Sequence, residues 1–307
     1  MEFHHVPVLL HETLDALAIR PDGIYVDCTA GGGGHSAQIL CALESGTLID
    51  IDRDPQAIET LHARFDGREN VRIVQDNFHH IESILSSLGI DGADGILADL
   101  GVSSHQLDTA GRGFSFHSDA PLDMRMEMRG QSAADVVNRY PKAQLQRILF
   151  RYGEEKFAPA IAAAIVRRRE TAPIETTLDL AQIVKSAVPA AARRDGHPAR
   201  RTFQALRIEV NGELEMLDEA VQSMFRVLRP GGRLCIITFH SLEDRIVKKR
   251  FAELCTGCTC PPDFPVCVCG KTPQGRLPMK AVQPSEKELE ENNRSRSAKL
   301  RVIEKIG

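Results

Sequence analysis

Four consecutive glycines, residues 31–34, follow the apolar run Ile24-Tyr-Val-Asp27 and lead into His35, Ser36, Ala37, Ile39 and Leu40. Lacking a β carbon, such residues let backbone N–H groups at a helix start approach an anionic or polar ligand closely. Gly32-x-Gly34-x-x-Ala37 also satisfies the dinucleotide fingerprint, a weak match when taken alone. The run Thr47-Leu-Ile-Asp-Ile-Asp52 ends about 20 residues on, in an acid that can bind ribose hydroxyls. Both a nicotinamide dinucleotide and S-adenosylmethionine carry such a ribose. Two further apolar runs, Val71-Arg-Ile-Val-Gln-Asp76-Asn-Phe78 and Gly95-Ile-Leu-Ala-Asp99, bring Asp76 and Asp99 to the same edge as Asp27 and Asp52. Four acids suit a cationic sulfonium ligand better than a pyrophosphate, although any one of them could serve simply as a helix cap.

A second set of chemically capable residues lies near the carboxyl end. Five of the eight cysteines fall in Cys255-x-x-Cys258-x-Cys260 and Cys267-x-Cys269. Clustering of this kind in a cytoplasmic chain favours metal over disulfides, and four thiolates can hold zinc tetrahedrally. Pairs spaced C-x-C are less usual in zinc sites than C-x-x-C. Free or redox-labile thiols are therefore the favoured reading and structural zinc the second. Cys28, Cys41 and Cys235 fall in apolar elements and are expected to be buried packing residues.

The elements that must position these groups alternate. Strand candidates near 24–27, 47–52, 71–75 and 95–99 are separated by helical stripes, including Ile58, Leu61 and Phe65 after Asp54-Pro55, and Ile81, Ile84, Leu85 and Leu88. That order predicts a parallel sheet with helices on both faces. Beyond Asp99 the period is lost through Ser103, Gln106, Arg112 and Arg125, which predicts a long ordered loop. Residues 132–192 are helical in character. Leu214, Leu217, Val221, Phe225 and Leu228 then give one more helix, stopped by Arg229-Pro-Gly-Gly232. The strand Arg233-Leu-Cys-Ile-Ile-Thr-Phe239 follows, and Lys299-Leu-Arg-Val-Ile should pair antiparallel beside it. The expected organisation is a discontinuous ligand-binding domain, 1–104 and 214–307, with an inserted helical subdomain over 105–213.

Bulk properties agree with one large domain carrying an insertion. The chain has 307 residues, 42% of them hydrophobic, and a net charge of −4. No run approaches the length of a membrane span, and the first ten residues do not resemble an export signal, so a cytoplasmic protein with no membrane partner is expected. Charge is unevenly spread: residues 104–213 hold 17 Lys and Arg against 13 Asp and Glu, net +4, and the remainder 21 against 29, net −8. A mildly basic insert is compatible with a phosphate backbone, though charge alone reads more simply as a solvated surface.

The joint order of several motifs resembles the RsmH/MraW family over nearly the whole chain. These are His5-x-Pro7-Val-Leu-Leu10, the glycine turn with His35, Asp52-Arg-Asp54, Asp99-Leu-Gly-Val-Ser-Ser104-x-Gln106, Arg112-Gly-Phe-Ser-Phe116, Pro121-Leu-Asp-Met-Arg125, Arg201-Thr-Phe-Gln-Ala205 and Phe239-His-Ser-Leu-Glu-Asp-Arg245. The resemblance implies a class I Rossmann-like methyltransferase using S-adenosylmethionine. It further implies the N4 amine of a cytosine in bacterial 16S rRNA, near the ribosomal P site, as the target. Matching positions for the cofactor are Gly33, Gly34, His35, Asp52, Phe78, Asp99 and Gln106. Asp99 is the candidate catalytic acceptor, although Leu100-Gly101 stands where other amino-methyltransferases carry two prolines. An extruded base needs an RNA surface, for which Arg112, Phe114, Phe116, Arg125, Arg193, Arg194, Arg200, Arg201, His240 and Arg245 are candidates. The rRNA would be met within the small subunit, and a homodimer stays open. So do two other classes, a nicotinamide-dependent oxidoreductase on the same turn and a non-catalytic assembly factor.

Overall fold

The structure is a computed structural model that describes residues 7–193, 196–261, 266 and 268–307. In chain order its helices are α1 (Leu10–Leu17), α2 (Gly34–Ala42), α3 (Pro55–Arg64), α4 (Ile81–Ser87), α5 (Ser104–Asp108), α6 (Ala133–Arg139), α7 (Lys142–Gly153), α8 (Ala158–Arg169), α9 (Thr177–Ala187), α10 (Arg200–Asn211), α11 (Leu217–Arg226), α12 (Ser241–Cys255) and α13 (Glu286–Glu291). The strands are β1 (Ile24–Asp27), β2 (Thr47–Asp52), β3 (Val71–Gln75), β4 (Ala93–Asp99), β5 (Leu228–Thr238), β6 (Gly275–Arg276) and β7 (Lys299–Lys305). The chain separates into two units, one of Met1–Gly101 with Leu214–Gly307 and the other Val102–Glu213.

The first unit is a seven-stranded sheet in the order β3-β2-β1-β4-β5-β7-β6. Strands β1 to β5 pair in parallel, and β7 runs antiparallel to both its neighbours. Period-two alternation explains how one sheet feeds two cores, because successive side chains point to opposite faces. Val26, Ile49, Ile96 and Ile236 join Ile81, Leu85, Val221, Phe225 and Phe251 on one face. Their chain neighbours Tyr25, Leu48, Leu97 and Ile237 join Leu9, Leu17, Ile39 and Leu61 on the other. Burying each aliphatic side chain of this kind contributes roughly 1.5–3 kcal/mol.

The sheet's far end is pinned by charge. Asp94, almost fully buried, accepts the Ile24 N–H at 2.8 Å and is paired with Arg20 and Arg229. Arg229-Pro-Gly-Gly232 does not end a helix and start a strand anew, as the sequence suggests. It lies inside β5 as an excursion, where the register with β4 jumps from Leu228 to Arg233.

The second unit is helical. Ser132 and Asp135 form a reciprocal capping box at α6, and Thr176 caps α9 through the Asp179 N–H. The apolar stripes of α7 to α10 bury Leu145, Leu149, Ile161, Ile165, Leu180, Val184, Phe203 and Leu206. Of the stretch expected to be loop, residues 104–108 form α5, started by a capping box between Ser103 and Gln106. The remainder is irregular but held: Arg112 Nη2 donates to the carbonyls of Arg125 and Met126, both at 3.0 Å. Asn211 both accepts the Met126 N–H and donates to the Met124 carbonyl. Met124 is fully buried at φ 61°, a left-handed conformation that costs a non-glycine residue of order 1 kcal/mol or more.

Candidate active site

At the carboxyl end of β1 the backbone breaks away from the sheet. The Cys28 N–H reaches Leu97 O at 2.8 Å and the Ala30 N–H reaches Ile51 O at 3.1 Å, which centres the turn over β1, β2 and β4. Gly33 sits at φ 73° and caps α2, its own N–H donating to Ala30 O at 2.7 Å. At Gly34 a β carbon would lie 2.6 Å from Pro7 Cγ, so only glycine lets the Pro7-Val8 segment close against the turn. His35, buried in the first turn of α2, holds that segment by donating from Nε2 to the Val8 carbonyl at 3.1 Å. Where a β carbon would be at Gly32 there is open space. The first N–H groups of a helix have no acceptor within it, so this turn offers donors next to open space.

Three of the four acids converge here, and each is partly used by the turn itself. Asp27 is buried, accepting from Ser36 Oγ at 2.8 Å and the Thr29 N–H at 3.1 Å. Burial pushes its pKa up to about 6 against those hydrogen bonds. Asp52 accepts the Gly31 and Asp54 N–H groups, each at 2.8 Å, and its pKa is raised chiefly by burial. Asp99 is different. Its N–H donates to Thr29 Oγ1 at 2.6 Å, but its carboxyl Oδ1 is buried without a hydrogen-bond partner, and Oδ2 lies 4.0 Å from His35 Nδ1. Burial, with Asp27 and Glu243 nearby, pushes its pKa well above the carboxylate range. The fourth acid, Asp76, is spent locally: Oδ1 accepts the Asn77 N–H at 2.6 Å and sits 2.7 Å from His80 Nδ1. It behaves as a turn-capping residue.

Phe78, half-buried after β3, packs against the sheet core and meets the His79 ring edge-on at 4.8 Å. Burial, with Arg53 close by, lowers the pKa of His79 to about 4, so this ring is neutral. Thr29, Ser36 and Glu243 carry structural roles that the sequence reading did not single out. Glu243 is buried and accepts the Phe239 N–H at 2.9 Å, while its own N–H donates to His240 Nδ1 at 3.4 Å. The spacing His240-x-x-Glu243 is that of a capping box and was the available signal. His240 is therefore a half-buried cap of α12, and Arg245 an exposed residue one turn on.

Within the helical unit, Gln106 is buried, its Oε1 accepting the Ser103 N–H at 3.0 Å. Several residues expected on an RNA surface are used otherwise. Arg112 is buried with its guanidinium on backbone carbonyls, and its Cζ lies 5.8 Å from the centre of the buried Phe114 ring. Neither faces solvent as a contact residue must. Phe116 stacks on His197 at 4.4 Å and meets Phe203 edge-on, and Arg125 is forked onto Asp123. Arg193 donates to Val188 O at 2.9 Å. Arg200 and Arg201 are exposed at the start of α10, and Arg194 lies outside the described residues.

The cysteines also divide. Cys28 and Cys235 are buried as expected, but Cys41 is exposed, because α2 turns it outward. Cys255 packs against the sheet core at the end of α12, Cys258, Cys260 and Cys269 draw together, and Cys267 lies outside the described residues.

A sheet of this order with a reversed β7, a glycine turn after β1 and an acid ending β2 defines a Rossmann-like, S-adenosylmethionine-dependent methyltransferase. Residues 2–306 match the MraW methylase family, and the chain belongs to that family. It is 57% identical over 309 residues to the ribosomal RNA small subunit methyltransferase H of Clostridium botulinum strain Kyoto, covering 100% of both chains. To the protein of the same name from Symbiobacterium thermophilum it is 53% identical, covering 100% of this chain and 98% of that one. Among solved structures, an rRNA methylase from Streptococcus thermophilus aligns over 99% of both chains with 13% identity and a TM-score of 0.43. The nicotinamide reading of the glycine turn falls away with membership of a methylase family. No helix among the described residues is long and apolar enough to cross a membrane.

Proposed function

We propose that this chain transfers a methyl group from S-adenosylmethionine to the exocyclic N4 amine of a cytosine in small-subunit 16S rRNA, near the ribosomal P site. The names of relatives that match it end to end support rRNA of the small subunit as substrate. The donor fits the residues present: N–H groups beside open space at Gly32 suit a carboxylate, and the carboxyl at Asp52 suits vicinal hydroxyls. Gly33, Gly34 and His35 would take the methionine end, Asp52 the ribose and Phe78 the adenine. When bound, the donor supplies an electrophilic methyl group on a positively charged sulfur.

The single observation that carries the chemistry is the unpartnered Oδ1 of Asp99 at the end of β4. A cytosine amine is a poor nucleophile, because its lone pair is delocalised into the ring. An acceptor must hold its N–H in line and later take a proton. Burial raises the pKa of Asp99, which favours its neutral form, and a neutral carboxyl is a weak acceptor. A cation at this edge favours the carboxylate, so donor binding itself would ready Asp99 to accept. Leu100 and Gly101 replace the prolines of other amino-methyltransferases, and backbone carbonyls there add acceptors of their own. The helical unit is proposed to recognise the RNA.

The test is transfer of labelled methyl to small subunits lacking the modification, with nucleoside mass analysis, by the parent and by Asp99→Asn. The parent should yield N4-methylcytidine, and the variant should be slower by about 100-fold or more. Label in another nucleoside would overturn the target, and a wild-type rate for the variant would remove Asp99 from catalysis.

A further inference from the structure

Among its described residues, the loop between α12 and β6 has no apolar core. None of its described residues from 256 to 274 is buried, and Val266 and Val268 are 69% and 73% exposed. It nevertheless closes on itself, the Gln274 N–H returning to Leu254 O at 2.9 Å. Three thiols converge within it: the sulfur atoms of Cys258, Cys260 and Cys269 all lie within 4.8 Å of one another, with Cys258 and Cys269 at 3.7 Å. A disulfide would bring two sulfurs to about 2.05 Å, and Cys258 and Cys269 stand well beyond that separation.

The spacing has a geometric reading. Thiolates held about 2.3 Å from a zinc ion at tetrahedral angles stand about 3.8 Å apart. Backbone N–H groups are also aimed at the sulfurs, Val268 to Cys260 at 3.4 Å and Thr259 to Cys269 at 3.5 Å. Donors of this sort orient thiolates and offset their charge around a metal. Segments too small to bury a core commonly depend on such a staple.

The geometry points to a binding site for a thiophilic divalent cation, zinc by its preference for tetrahedral thiolates, formed by Cys258, Cys260 and Cys269 and stapling the 256–274 loop. This reverses the reading of free thiols that C-x-C spacing favours. Cys255 is not one of the three ligands, since it packs against the sheet core. The fourth tetrahedral position falls to water or a further side chain.

Metal analysis of full-length protein, purified under reducing conditions without chelator, tests the assignment. The parent and Cys41→Ser should each carry about one zinc per chain, and Cys258→Ser with Cys269→Ser less than about a tenth of that. Should the double variant fail to fold, cobalt(II) added to metal-stripped parent reports independently. Sulfur-to-cobalt charge transfer with tetrahedral d–d bands is the expected spectrum. Parent protein that retains no zinc after loading and desalting, or cobalt spectra without thiolate bands, would overturn the site. So would a folded double variant with the parent's zinc content.

Discussion

Asp99 and Asp50 show how two aspartates in one sheet come to opposite uses. Asp99 sits at a strand end beside the glycine turn, whereas Asp50 lies inside β2 across from Asp27, fully buried, with neither carboxyl oxygen hydrogen-bonded. Burial, then the neighbouring Asp27, pushes the pKa of Asp50 well above the carboxylate range. In the unfolded chain it titrates near 3.9. The folded state therefore holds its proton to higher pH, and stability falls as pH rises from the unfolded value through the folded one. Asp50→Asn abolishes that dependence. The melting temperature of the variant, relative to the parent, should be higher at pH 8 than at pH 5, and an equal offset at both would contradict the assignment. Sequence pattern located Asp27, Asp52 and Asp99, because strand-end acids can be counted from apolar runs. It could not see that Arg112 is consumed by carbonyls 13 and 14 residues away, a fact of tertiary closure.

Elements with strong periods were legible. The apolar runs of β1 to β4 and the stripe of α4 fell where expected, since each carries enough apolar residues to announce its face. What escaped is made by pairing or capping rather than pattern. β6 is two residues long and exists only because Gly275 and Arg276 pair with β7. α5 holds one apolar residue, Leu107, and its local signal is the box Ser103-x-x-Gln106. The glycine turn was legible as a turn, but not the reason for Gly34, which is the pressure of Pro7 on its far side. Gly34→Ala would force Pro7 and Val8 away from α2 and misplace His35. Affinity for the methyl donor should fall by about tenfold or more, roughly 1.4 kcal/mol, with the fold kept. Unchanged affinity by titration would show that the turn tolerates the displacement.

At the scale of the whole chain, the sequence placed the insert at 105–213, and the structure divides the chain at Val102 and Glu213. The difference is the capped start of α5, which carries no apolar period to mark it. Charge separates along the same division, a net +4 over 104–213 within a chain of −4. With Arg112 and Phe114 buried and Arg125 paired, the exposed Arg200 and Arg201 are the leading candidates for contact with a phosphate backbone. Reversing both to Glu should weaken RNA binding and lower the slope of affinity against salt by about 1–2, leaving donor affinity intact. Equal RNA binding by parent and variant would move the contact surface elsewhere. The central claim is that the rim formed by the glycine turn, Asp52 and Asp99 is built for a cationic methyl donor. Isothermal titration tests it most directly. S-adenosylmethionine and its demethylated product should each bind one to one while NADH gives no heat; saturable NADH binding, or silence with both adenosyl ligands in folded protein, would contradict it.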